Sequence, residues 1–566
     1  MNRSSIRLRF GPVSPSVIRA LRSVGRRATL VGIAIQVGAG ARIYAQAVAG
    51  AGTDATQLPK WALRIRVAGN WDGHKALFGP RGSQPLYHGV SSNALGTREL
   101  PQLRATEQAI RSLSGIATFA LSLGALEASG DARQSITPMS FELGVTRKLS
   151  IGLLVPYVES RDNALLILNR AGTGATVGQN PAYSASGGTV ARATNGTLLR
   201  QMAQARLALA AEITRCIPIA AAGCDAIRAN PSAAQQLVTQ ALSTQAAIAA
   251  VYGDSVRGGA PLIPINNSVA QSAINASIGA LRTAFAGFGI STISEGVLPA
   301  AAVIVNGPGA IARIVKDSAY GLDYQVLGGT RRAGIGDVDL TASYQWLNTL
   351  GERPAQWLAA AGLGYRSQIT AGWRFGTAGA DRTEAAFDVP IGDGANALIA
   401  RSTTDIVLNR WLWMSGTVRV VQPFGDQVVT RRPRLEDSAL FVPSSVERAG
   451  RTLGRRLDVE LAPRLMLGRF FGLSGGYLYR QWGGDQFTFG ASDSLPATTK
   501  STSTRAIQSL MFGATFSTLS SYVQSRSKWP VEVLYFHLTP IAGSGGAPVQ
   551  SSDRLELRVY TGFPRR

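Results

Sequence analysis

Stretches of strict apolar and polar alternation, joined by links that are short and long in turn, constrain this chain more than any other feature. From Asp337 to Trp346, the residues Val338, Leu340, Ala342, Tyr344 and Trp346 share one face, and Asp337, Asp339, Thr341, Ser343 and Gln345 share the other. That period of two belongs to a strand with unlike environments on its two sides. The pattern recurs. Trp61, Leu63, Ile65 and Val67 alternate with Ala62, Arg64 and Arg66, and Leu457, Val459 and Leu461 alternate with Arg456, Asp458 and Glu460. Leu555, Leu557 and Val559 alternate with Arg554, Glu556, Arg558 and Tyr560, while Leu412, Met414, Val418 and Val420 face away from Ser415, Thr417 and Arg419. A strand of about ten residues tilted by about 45° crosses a bilayer core, which puts Tyr344 and Trp346 at an interface.

A soluble sandwich alternates too, so the links decide. Short ones fall at 146–148, 348–354, 409–411, 468–469 and 519–528, and long ones at 70–117, 171–333, 377–395, 425–451, 489–501 and 542–549. Strict succession of the two kinds is the outer-membrane pattern of short periplasmic turns and long outer loops. The strands between them are 61–69, one ending near 146, 149–168, 334–347, 356–376, 396–411, 412–424, 452–467, 470–488, 502–518, 527–541 and 550–563. The expected fold is therefore all-β, a transmembrane antiparallel β-barrel of about twelve strands in a bacterial outer membrane, contacting its lipid. Residues 118–146 are too long for one crossing, so Phe119 to Leu123 forms an extra hairpin arm, or two more strands make fourteen.

The N-terminus reads as an export signal over 1–49. Arg3, Arg7, Arg9, Arg19, Arg22, Arg26 and Arg27 precede the apolar stretch Ala28 to Ala41, followed by Ala45-Gln46-Ala47 and Ala47-Val48-Ala49. That is the order of basic region, apolar core and small-residue cleavage site. The rest divides into 50–170, the first part of the barrel with an outer loop; 171–330, an Ala- and Gly-rich insertion; and 331–566, the remaining strands. In the insertion Leu198, Met202, Ala205, Leu209, Ile213 and Cys216 recur at helical steps, as do Ile274, Ile278, Leu281 and Phe285, and a weaker helix runs from about Ser232 to Tyr252. The insertion, between the third and fourth strands, is expected at the outer face as a lid or plug. In an oxidising compartment Cys216 and Cys224 can close a small disulfide loop.

Charge argues against nucleic acid. The balance of +23 falls to 49 basic against 34 acidic residues, or +15, beyond residue 49, and only six of all the basic residues are Lys. The arginines are scattered singly and form no stripe. No run of 18 apolar residues marks a helical span.

Signatures of catalysis are sparse. His74, His88 and His537 lie far apart, without a cluster at metal-ligand spacing, so neither metal nor cofactor is expected. Gly472-Leu473-Ser474-Gly475-Gly476 fits a nucleophile elbow, but lies within a strand instead of the strand-to-helix turn that motif needs. A barrel hydrolase would need His537 to face a serine or an acid.

The expected inward set is Asp337, Asp339, Arg419, Arg456, Asp458, Glu460, Arg554, Glu556 and Arg558, because charges facing lipid are strongly disfavoured at mid-depth. Mixed signs suit a water-filled pore or a salt-bridged interior. Leu534, Phe536 and Leu538 add an apolar inner face.

Phe141-Glu142-Leu143-Gly144-Val145-Thr146-Arg147-Lys148-Leu149-Ser150-Ile151-Gly152-Leu153-Leu154-Val155-Pro156-Tyr157, with Gly334-Ile335-Gly336-Asp337 opening an alternating strand, resembles the outer-membrane channels associated with aromatic-compound (phenol meta-pathway) degradation. Those channels are similar to the long-chain fatty acid transporters. The resemblance implies facilitated diffusion of small hydrophobic solutes and no enzymatic activity. The large insertion departs from that pattern, as does the ending Gly562-Phe563-Pro564-Arg565-Arg566, which bears on recognition by the barrel-assembly machinery. The competing reading is a surface structural or adhesive barrel whose insertion binds a partner.

Overall fold

The computed structural model describes residues 54–170, 174–183, 188–218, 221–316, 329–351, 362–379, 389–409, 411–432, 446–491 and 496–563. The expected export signal lies outside the described residues, as do 352–361 in one short link.

Alternation gives twelve barrel strands. They are β1 (Leu63–Gly79), β2 (Leu126–Gly144), β3 (Leu149–Leu168), β4 (Val338–Asn348), β5 (Gly364–Phe375), β6 (Ala397–Val407), β7 (Leu412–Pro423), β8 (Arg456–Leu467), β9 (Phe471–Trp482), β10 (Arg505–Ser517), β11 (Val531–Ser544) and β12 (Pro548–Thr561). Each pairs antiparallel with its neighbours in the chain, and β1 closes the sheet by pairing with both β2 and β12. Closure leaves no barrel strand with an open edge, and this is what lets a sheet stand in a bilayer.

The two faces are unlike, as a membrane barrel requires. Outward residues such as Val67, Ile151, Leu340, Ile369, Leu461 and Leu557 are exposed and apolar, while Arg64, Asp339, Thr403, Arg419, Glu460 and Glu556 on alternate positions are buried. Trp346 is 55% exposed on the outer face near one barrel end. The protein is thus an outer-membrane β-barrel, apolar toward lipid and charged within.

Several expectations need adjusting. Residues 118–146 give one strand: β2 takes 19 residues and pairs along its whole length with the 20-residue β3, so this hairpin rises beyond the bilayer and no fourteenth strand is needed. Phe119 to Leu123 instead bridges Gly96 and Ala175 through Ser122 and Leu123. β1 extends to Gly79, ten residues beyond the expected end. The strand expected over 334–347 is broken at Gly336 and Asp337, and Thr330–Ile335 pairs separately with the upper part of β3. The loops 425–451 and 489–501 are not irregular. With the chain beside them they form a separate sheet of Asp426–Arg431, Val446–Thr452, Gln486–Phe489 and Thr498–Ser501.

The short-link end is crossed by the chain before β1. Ala55 N–H donates to the Asp405 carboxylate at 2.9 Å, Gln345 donates to the Ala55 carbonyl at 2.7 Å, and Gln368 donates to Gln57 at 3.0 Å. Leu58 and Ala62 then pack with Leu350, Val407, Leu519, Val523, Tyr560 and Phe563. The link from β10 to β11 contributes a single helical turn, Leu519–Val523, to that cluster.

The long-loop end carries helices α1 (Arg104–Ser114), α2 (Gly188–Cys216), α3 (Pro231–Tyr252), α4 (Val269–Gly287) and α5 (Ala310–Lys316). The last four lie between β3 and β4. Their apolar stripes join Ala128, Ala132, Leu166 and Leu168 of the raised β2–β3 hairpin in one cluster. Two buried polar side chains tie this end together: Asn180 donates to the Gly258 and Ala260 carbonyls at 2.8 Å, and Tyr252 O–H donates to Gln271 at 2.6 Å, tying α3 to α4. Cys216 and Cys224 form a disulfide with Cα atoms 5.3 Å apart.

Leu461, half exposed on the outer face of β8, tests the membrane-facing assignment. Leu461→Arg is expected to destabilise the folded barrel by about 2–4 kcal/mol at mid-depth, read as a lowered urea midpoint for refolding into liposomes.

Candidate functional site

The inward positions of the barrel assemble into a lattice of arginines that share carboxylates. Glu142 on β2 accepts from Arg64 and, at 2.8 Å, from Arg66, both on β1, and Ser150 O–H donates to it at 2.9 Å. Asp339 on β4 accepts twice from Arg374 on β5, at 2.6 and 2.8 Å, and from Arg419 on β7 at 3.4 Å. Asp458 on β8 accepts from Arg456 at 3.1 Å and from Arg480 on β9 at 3.2 Å. Glu556 on β12 accepts from Arg554 and, at 2.6 Å, from Arg558. Nearer the short-link end, Arg366 donates to Asp405 at 2.5 Å and lies over the Trp413 ring. Four carboxylates therefore serve eight guanidinium groups. Two of these arginines also have a second acid, Arg558 with Glu532 at 3.7 Å and Arg374 with Asp393 at 3.9 Å.

Eight of the nine inward candidates lie on strands within this lattice or beside it. Glu460 is buried on β8, opposite Thr417 of β7 and Leu478 of β9 in register. Asp337 differs: it sits in the break before β4, where its carboxylate accepts N–H groups from Ala378 at 3.1 Å, Asp393 at 2.7 Å and Gly394 at 3.2 Å. It pins the loop between β5 and β6 to the barrel. Sequence reading missed Arg64, Arg66, Arg374, Arg401 and Arg480 as members of the lumen, although their parity along β1, β5, β6 and β9 placed them there.

A cavity of about 90 Å³ lies amid the lattice, lined by Arg66, Arg401, Arg419 and Arg554, the acids Glu142, Asp339 and Glu556, the hydroxyls of Ser343 and Thr370, and the apolar Pro138, Leu154 and Ile399. One part of the lumen is apolar: Ala462, Leu478, Met511, Leu534, Phe536 and Leu538 pack as a patch across β8 to β11.

His537 points to the outer face. Its Nδ1 lies 2.8 Å from the Asp553 carboxylate, which also accepts from Tyr535 O–H at 2.7 Å. Ser474 faces inward, buried within β9, and its hydroxyl has no hydrogen-bond partner. The serine and the histidine of the hydrolase reading thus face opposite sides of the wall. Among the described residues no group of three or more His, Cys, Asp or Glu is placed to hold a metal.

No family model and no curated protein matches the chain. It resembles solved outer-membrane channels of the aromatic-hydrocarbon and fatty-acid-transporter kinds in its fold. The COG4313 outer membrane channel from Pseudomonas putida F1 is 9% identical, with 90% of this chain and 100% of that one covered and a TM-score of 0.38. The Ralstonia pickettii toluene transporter TbuX is 11% identical, covering 94% and 100%, at 0.26. A Pseudomonas aeruginosa FadL homologue is 9% identical, covering 89% and 91%, at 0.24. The likeness is one of strand arrangement.

Two outcomes test this site. Glu556 is fully buried between Arg554 and Arg558, so Glu556→Gln removes the nearest acid from two guanidinium groups. A loss of about 3–5 kcal/mol is expected, measured as the urea midpoint in detergent micelles. In the loop from β5 to β6, burial and the neighbouring Asp337 push the Asp393 carboxyl up to about 6. A raised folded-state value means that the folded loop binds the proton more tightly. Loop stability is then full below about pH 4 and falls as pH rises toward 6. Exchange protection of the Asp393 and Gly394 amides, corrected for intrinsic rates, should be higher at pH 5 than at pH 7.5.

Proposed function

We propose that the protein is a channel for facilitated diffusion of small hydrophobic solutes across the outer membrane, with no covalent chemistry. The observation that carries this reading is the state of the inward polar atoms. Both side-chain polar atoms of Asn70, His74 Nε2, Arg66 Nε, Arg401 Nε, Ser474 Oγ and Thr515 Oγ1 have no hydrogen-bond partner in the protein. In a dry, packed interior each would cost about 1–3 kcal/mol. A hydrated lumen satisfies all of them, and the structural alternative of a closed, salt-bridged barrel does not. The apolar patch of Leu534, Phe536 and Leu538 gives hydrocarbon a surface along that wet path.

Two gates bound the path in this reading. With short turns toward the periplasm, the segment 54–62 closes the inner mouth through the contacts to Asp405, Gln345 and Gln368. The helical insertion forms a lid at the outer mouth, standing on the raised β2–β3 hairpin. Insertion into the membrane by the barrel-assembly machinery belongs to the same reading, and Phe563, buried against Tyr560, is the aromatic that follows the last strand.

The test is conductance of the purified protein in planar bilayers. The intact chain should conduct, and a chain lacking residues 54–60 should conduct several times more per channel. Replacing 171–330 by a short linker should also raise the leak. A heat-modifiable barrel that stays silent in all three forms, while loss of the insertion abolishes attachment to a partner, would make it an adhesive barrel.

A further inference from the structure

We infer that the mid-barrel cavity is a binding site for a small organic monocarboxylate with an apolar body, held by the Arg401 guanidinium. The inference rests on reading the lumen as a solute pathway, and it names the kind of solute.

The carboxylates around the cavity are each shared between two arginines, and Arg401 is not among those arginines. Among the described residues no acid lies within 4.0 Å of it. Its one hydrogen bond runs from Nη2 to Thr370 Oγ1 at 3.2 Å, and its Nε has no partner. Its cross-strand neighbour in register is Arg419. Like charges directly opposite on neighbouring strands repel, and Arg419 donates to Asp339 at 3.4 Å. The row continues through Thr370, which shares a hydrogen bond of 2.8 Å with Ser343. Arg401 is thus a planar fork with unused donors, facing a cavity in which positive charge outnumbers negative.

The rest of the cavity wall excludes the simpler occupants. Ile399, one inward position along β6 from Arg401, and Leu154 on β3 supply hydrocarbon surface. An inorganic anion would answer the guanidinium and leave that surface wet. A neutral hydrocarbon would cover the surface and leave the repulsion between Arg401 and Arg419 in place. A carboxylate takes two parallel hydrogen bonds from a guanidinium, and its apolar body lies on Ile399 and Leu154. At roughly 10–15 Å³ for each water, a cavity of about 90 Å³ holds several waters, or one molecule with a single ring or a short chain.

The probes are benzoate, its neutral analogue benzamide, and inorganic phosphate, titrated against the chloride current of the full chain in planar bilayers. Benzoate is expected to halve the current at a concentration at least tenfold below either of the others. Arg401→Gln should raise the half-blocking concentration of benzoate at least tenfold, and Arg401→Lys should recover part of that loss. Heat-modifiable mobility in SDS establishes that each variant is a folded barrel. Equal potency of benzoate and benzamide, or an unchanged benzoate titration in Arg401→Gln, overturns the site while leaving the channel reading intact. If the wild-type bilayer is silent, the channel reading fails, and equilibrium dialysis of radiolabelled benzoate against detergent-solubilised protein decides the site separately. Binding that is lost in Arg401→Gln upholds it, and absent or unchanged binding overturns it.

Discussion

Glu142, Asp339, Asp458 and Glu556 each stand between two guanidinium groups, drawn from the same or adjacent strands except for Arg419, which reaches Asp339 across the lumen-facing wall from three strands away. Charges of this kind have one tolerable place in a barrel whose outer surface meets hydrocarbon. Once they point inward, alternation fixes the outward residues, and a register slip of a single residue would turn arginines into the lipid. The ionic lattice therefore specifies strand register as well as the electrostatics of the lumen. Around the mid-barrel cavity four arginines face three acids, and in the proposed reading water completes the hydrogen bonding of the lattice.

The two barrel ends are built differently. At the short-link end, 54–62 reaches inward residues of β4, β5 and β6 through backbone and amide contacts, Asp54 lies 3.6 Å from Arg464 on β8, and Trp61 and Ala62 exchange backbone hydrogen bonds with Gly144. At the long-loop end, helices α1 to α5 share one apolar cluster with the β2–β3 hairpin, stapled by the Cys216–Cys224 disulfide and by Asn180. In the channel reading, the segment 54–62 is the gate of the inner mouth and the insertion the lid of the outer one.

Much of the barrel was legible because a period of two survives burial on one side and lipid on the other. The strand count and the helices around Leu198, Ile274 and Leu237 could be read directly. Residues 118–146 were ambiguous because a strand that outruns the bilayer loses the length criterion by which crossings are counted. Helix α1 carried a readable stripe in Leu103, Ile110 and Leu113, ending at Gly115 with φ 69°. It lies within 70–117, which the alternation marks only as a long loop. The lumen was legible as a set of charges but not as a lattice. Which arginine shares which acid depends on register between strands far apart in the chain, such as Asp339 with Arg419. Arg401 stood out only when its neighbours were seen to be committed elsewhere.

The central claim is that a hydrated, electropositive lumen connects the two sides of the barrel. The reversal potential of the purified full chain in a planar bilayer under a tenfold potassium chloride gradient tests it most directly. The account predicts a steady conductance whose reversal potential has the sign of chloride preference. A bilayer that stays silent with a heat-modifiable, folded barrel, or a potential of the opposite sign, would contradict it.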